Sequence, residues 1–199
     1  MNLISNILYW ISTGLLVPVI LLLIFFFIRA LILTGGFFGQ YLQERRTAST
    51  LYGPVSAVTP ATLAGLHIPD EDRSLFGACA RRIVEEGGEP ARTDLILAEY
   101  ETALEKNIAT SKILAKMGPI LGLMGTLIPM GPALAGLASG DIASMAYNMQ
   151  VAFSTTVVGL VVSAIGFLTQ QVKERWALRS LALLEYLADV SRNTSTAKP

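Results

Sequence analysis

Two stretches of this chain are almost free of charge, and they limit what it can fold into more than any motif does. Within residues 3–43 the only charged side chain is Arg29, and within 118–172 it is Asp141. The other charges fall into two blocks, 44–116 and 173–198. Hydrophobic residues make up 52% of the chain and charged residues 15%, against about 25% charged in soluble domains. Apolar runs this long match a bilayer core of ~30 Å crossed by helices rising about 1.5 Å per residue. The expected fold is therefore all-α and membrane-embedded. Three spans are predicted, at 7–33, 117–138 and 147–170.

The first run is too long for the core of a signal peptide and lacks a basic leader and a small-residue cleavage site, so it reads as a retained helix. Tyr9 and Trp10 near one end suit interface anchors, and Pro18 is tolerable in a membrane helix. Between the second and third spans lie only Ser139, Gly140 and Asp141 before the pattern resumes, so these two helices form a hairpin turning at Gly140. Orientation follows from Lys and Arg. Residues 1–13 and 139–148 contain none, whereas the loop after the first span has nine and the C-terminal tail five. The N-terminus is expected outside, the loop and C-terminus in the cytoplasm. Four regions result: 1–43, the first span and its extension; 44–116, a cytoplasmic helical domain; 117–170, the hairpin; and 171–199, a C-terminal helix and tail.

In the charged region, Asp70, Glu71 and Asp72 after Pro69 read as an acidic helix start. Leu75, Phe76, Cys79 and Ile83 follow at helical spacing until Gly87 and Gly88. A second helix begins near Pro90, runs through Leu95, Leu97 and Leu104, and meets no breaker before Gly118. Residues 53–69 read as irregular, and the tail (Trp176, Leu178, Leu181, Leu184, Leu187) reads as an extension of the third span. Zero net charge gives no reason to expect nucleic-acid binding. The single cysteine, Cys79, excludes an internal disulfide. His67 has no second ligand at useful spacing, so neither a metal nor a cofactor is expected. No membrane serine has a base in reach, and no catalytic centre is expected.

At about 100° per residue, Gly118, Gly122, Gly125, Pro129, Pro132 and Gly136 fall near one line of the second span. Ala152, Thr156, Gly159, Ser163 and Gly166 do so on the third. Such stripes mean close helix contact or the lining of a narrow passage, because lipid gives helices no hydrophobic reason to associate. Thr126 flanks the first stripe, Thr156 and Ser163 lie in the second, and Thr155 is beside it. These four hydroxyls fit a lightly polar path, although each could bond back to its own helix. The spans contain no Asp, Glu, Lys or His in their interiors, so a titratable group for proton movement would have to come from a partner.

Residues 118–126, GPILGLMGT, with 153–160, FSTTVVGL, and the basic end KERW at 173–176, resemble the MotA/TolQ/ExbB proton channel family. The likeness covers roughly 115–176, and the N-out three-span layout agrees with the TolQ/ExbB branch. It implies a homo-oligomeric, pentameric ring in the inner membrane of a prokaryote. That ring would surround a pair of single-span ExbD/TolR/MotB-like partners whose membrane aspartate carries the proton, ion flow driving mechanical work. Thr126 and Thr156 match the family's two pore-facing threonines. Two features depart from the pattern. A glutamate often found five residues before the second threonine is replaced by Val151, next to Gln150, and Pro129 and Pro132 follow the Gly-Thr pair. The alternative is a non-conducting membrane scaffold whose small stripes serve only packing.

Overall fold

The computed structural model describes residues 7, 10–11, 13–66, 68, 74–86 and 89–196. The proposed anchor Tyr9, the acidic start Asp70, Glu71 and Asp72, the terminators Gly87 and Gly88, and His67 lie outside the described residues. Three long helices dominate: α1 (Leu16–Thr47), and then α4 (Pro90–Ser139) and α5 (Ile142–Thr196). Between them come a π-helical turn (Ala48–Tyr52), α2 (Gly53–Ser56), a 3-10 turn (Leu63–Gly65) and α3 (Leu75–Glu86). No strand occurs among the described residues. Three helices are long and apolar enough to cross a membrane, as the charge-free runs predict.

The chain divides into two compact units. One comprises Met1–Gly36 and Thr110–Gln170, the other Phe37–Ala109 and Gln171–Pro199. Helices α1, α4 and α5 contribute to both.

In the first, apolar unit the hairpin turn is built as its sequence suggests. Gly140 adopts φ 76°, a left-handed conformation that glycine takes without the steric cost other residues meet. The Asp141 amide donates to the Gly136 carbonyl at 2.8 Å, closing α4. The Asp141 carboxylate then accepts the Ser144 amide at 3.0 Å and caps α5, satisfying one of the orphan donors at a helix start. The lone charge of the hairpin is thereby explained as a cap. Helix α1 lies against α4 and α5 through two clusters. Val19 and Leu23 meet Leu121 and Ile128, with Met124 and Val158 alongside. Ala30 meets Leu114 and Val162, with Ile165 alongside. Pro18 lies near the start of α1 with helical bonds on both sides (Leu15 N–H to the Ile11 carbonyl and Val19 N–H to the Leu15 carbonyl, both 3.1 Å). Its missing N–H leaves the Gly14 carbonyl without the usual helix donor.

The second, polar unit has a large-side-chain core. Helix α3 buries Phe76, Cys79, Ala80 and Ile83, α4 buries Ile96 and Tyr100, and α5 buries Leu184, Leu187 and Ala188. Leu75 and Leu95 lie on the two expected helices but are exposed. On α4 the inward register runs through Thr93, Ile96 and Tyr100, so Leu95 is turned about 100° from the core. Leu178 is likewise exposed on α5. The segment expected to be irregular is made of short helical turns and buries Val55, Val58 and Leu63 in the same core.

Candidate functional site: a glycine seam and two threonines beside it

The two small-residue stripes face each other inside the chain, and the helices meet backbone to backbone. A Cβ added to Gly118 would come 2.6 Å from the Gly159 carbonyl oxygen, and one on Gly159 would come 2.9 Å from the Gly122 Cα. On Gly166 it would overlap the Ala115 nitrogen, and on Gly136 it would lie 3.1 Å from the Asp141 carbonyl. Gly125 sits under Thr155, whose Oγ1 would be 2.5 Å from the added carbon. Ala152 and Pro129 are buried in the same unit, and Pro132 is half-buried. Glycine is needed along this seam because dispersion and carbonyl contacts hold membrane helices together only at very close approach.

The four hydroxyls separate into two pairs. Ser163 donates to the Ala115 carbonyl across the seam at 3.0 Å. The reason lies four residues on: Pro119 is inside α4 and has no N–H to give that carbonyl, so the serine supplies the missing donor. Thr155 is 7% exposed and bonds back to the Val151 and Ala152 carbonyls, both at 3.0 Å. Both side chains are thus occupied by the hairpin itself.

Thr126 and Thr156 differ. Each is only half-buried, with its hydroxyl bonded back to its own helix, to the Leu123 carbonyl at 2.7 Å and to the Ala152 carbonyl at 2.9 Å. Such a bond uses the proton and leaves the oxygen's lone pairs open. At about 100° per residue, Thr126 lies roughly 140–160° around α4 from Leu121, Met124 and Ile128, which α1 covers. Thr156 lies roughly 120–180° around α5 from Val158, Val162 and Ile165, also on the α1 side. The two threonines therefore share the hairpin face that α1 leaves open.

The signature of the MotA/TolQ/ExbB proton channel family matches residues 71–185, more than half of the 199 in the chain. The chain belongs to that family. The match begins well before the hairpin motifs, so the polar unit carries family character as well. No curated protein and no solved structure matched. For a MotA/TolQ/ExbB family member, a membrane ion-channel role of the motor or stator type is supported, in a membrane complex with ExbD/MotB-like partners.

Sequence reasoning passed over one element of this family member's hairpin. Ser111 and Thr169, both buried, join across the seam through their hydroxyls at 3.2 Å. Thr169 also donates toward the Ile165 carbonyl at 2.8 Å. The signal was available for Ser111, which lies two helical turns before Gly118 on the same stripe, but not for Thr169, which lies about 60° off the line of Gly166.

Proposed function

We propose that this protein is the ring-forming subunit, of the TolQ/ExbB type, of a membrane motor driven by the proton-motive force. A pentamer would surround a pair of single-span ExbD/TolR/MotB-like subunits and pass force through them. The partner's membrane aspartate would carry the proton, because the spans of this chain offer no Asp, Glu, Lys or His and a proton relay needs a titratable group at depth. Val151, where the family often has glutamate, fits that division of labour. The distribution of Lys and Arg supports an outside N-terminus and a cytoplasmic polar unit, in the inner membrane of a prokaryote. Like the rest of the complex, the chain would work without chemistry of its own on a substrate.

The observation that carries this reading is the open hairpin face bearing Thr126 and Thr156. In a ring with α1 outermost, that face turns inward, and two hydroxyl oxygens per subunit can accept hydrogen bonds from a protonated carboxyl or a hydrated ion. The small stripes do not count as evidence for the passage, since they are consumed in the seam. That point favours the scaffold reading for the glycines, and variants of the two threonines discriminate between the readings.

The test is flux in liposomes. The protein alone should hold a pH gradient, and conduction should require a partner with its membrane aspartate. Thr126→Val and Thr156→Val should assemble normally, because a membrane hydrogen bond averages only ~0.6 kcal/mol. Partner-dependent flux should fall about tenfold or more, the effect of ~1.4 kcal/mol on a barrier. Native mass spectrometry on the same samples reads the ring. Undiminished flux in both mutants, with the ring intact, would leave only the scaffold.

A further inference from the structure

A cleft of about 230 Å³ opens in the polar unit among α1, α3, α4 and α5, and Lys173 lies on its wall. Lys173 is 6% exposed. Its ammonium donates to two oxygens of one residue, the Asn107 carbonyl at 3.3 Å and the Asn107 Oδ1 at 3.1 Å. Both acceptors are neutral, and an ammonium has three N–H groups to place. Burial without a carboxylate pushes its pKa below the ordinary lysine value. A charge held this way is costly unless an opposite charge completes it. The one carboxylate on the described wall, Glu44, already accepts the Tyr52 hydroxyl.

The rest of the wall offers neutral donors in the Gln43 amide, the Thr47 hydroxyl and one N–H of the Gln40 amide. The other Gln40 N–H donates to the Asn107 Oδ1 at 3.4 Å, while the Ser180 hydroxyl is taken by the Ala177 carbonyl at 3.0 Å. One cation with several neutral donors around a small cleft suits a tetrahedral oxyanion, with lysine acting as a point charge toward it. We propose that this cleft binds a phosphate group, contributed by a phospholipid headgroup or by a free phosphate. Along the sequence, Gln40 and Lys173 follow the apolar runs 7–33 and 147–170 within about two helical turns. That is the depth at which a headgroup becomes available, so both sources enter the test.

The full-length protein, purified in detergent and stripped of lipid, is melted in inorganic phosphate and in chloride at matched ionic strength. Native mass spectrometry of unstripped protein reads retained phospholipid. Two variants accompany the wild type. Lys173→Met removes the charge. Gln43→Glu, at an exposed position, adds a repelling carboxylate to the wall without touching the core, and carries the test if Lys173→Met does not fold. A phosphate-specific rise in melting temperature of the wild type, lost in the variants, supports the site with free phosphate as the source. Phospholipid retained by the wild type and shed by the variants supports it with a headgroup as the source. No phosphate-specific shift, together with equal lipid retention in all three proteins, overturns it.

Discussion

Helices α4 and α5 pack against each other in both units, by opposite means. In the apolar unit they meet through Gly118, Gly122, Gly159 and Gly166, with hydroxyls bridging the backbones. In the polar unit they contribute Ile96, Leu184 and Leu187 to a core of large side chains. The difference follows from the solvent. Water rewards burial of apolar area at roughly 25 cal/mol per Å², so large side chains stabilise a core there. Lipid offers no such reward, and association depends on close backbone approach and satisfied polar groups. One pair of helices therefore changes its packing chemistry along its length, and mutations should change meaning with position.

The largest effect is expected where bulk enters the glycine seam. Gly166→Leu and Gly159→Leu meet backbone atoms that cannot yield, so the cost should exceed the ~1–3 kcal/mol usual for overpacking. No protease-resistant hairpin should be recovered in detergent. Gly122→Ala is the internal control, since its added carbon would find its nearest neighbours at 3.6 Å, and it should be near neutral. In the polar unit the sensitivity reverses: loss of bulk matters. Leu184→Ala and Ile83→Ala, both fully buried, should cost ~2–5 kcal/mol, read by thermal melting, while the hairpin stays protease-resistant.

Alkaline pH should also separate the units. Burial raises the Tyr100 hydroxyl from 10.0 to about 12, with a Ser180 hydrogen bond opposing it, and Tyr52 is raised further for the same first reason. A raised folded-state value means the stabilisation is complete below about pH 10 and lost as pH climbs through the folded value. For Tyr100 alone this amounts to about 2–3 kcal/mol. Lys173, lowered by burial, acts in the opposite sense just below the ordinary lysine value. Melting at pH 9 and pH 11 should show a lower transition at the higher pH, reduced by Tyr100→Phe. The smallest effect belongs to Ser163→Ala, which strands the Ala115 carbonyl that Pro119 cannot serve. It should cost about 1 kcal/mol, and Pro119→Ala should remove the penalty by restoring the helix N–H.

Much of this was legible in the sequence, and the rest was hidden for physical reasons. Charge segregation revealed the spans because a bilayer filters charge more harshly than a protein core does. The glycine stripes were visible because helical periodicity is regular. What the stripes could not say was which hydroxyls belong to the seam. Thr155 and Thr156 are adjacent, about 100° apart, and only the seating of Gly125 on α4 against Thr155 decides which is covered. Which of Leu95 and Ile96 is buried was hidden for a similar reason, since both are apolar and only the partner core selects one. The Lys173 cleft depends on Asn107, 66 residues away, and nothing local in the sequence announces it.

The central claim is that the face bearing Thr126 and Thr156 lines the ion path while the opposite face lies under α1. Cysteine accessibility in the partner-containing complex measures this directly, in a background where the buried Cys79 is replaced by alanine. A small, charged thiol reagent should label Thr126→Cys and Thr156→Cys and block partner-dependent flux, while Val158→Cys and Val162→Cys stay unlabelled. Labelling confined to the valine positions, or labelling of the threonine positions that leaves flux unchanged, would contradict the account.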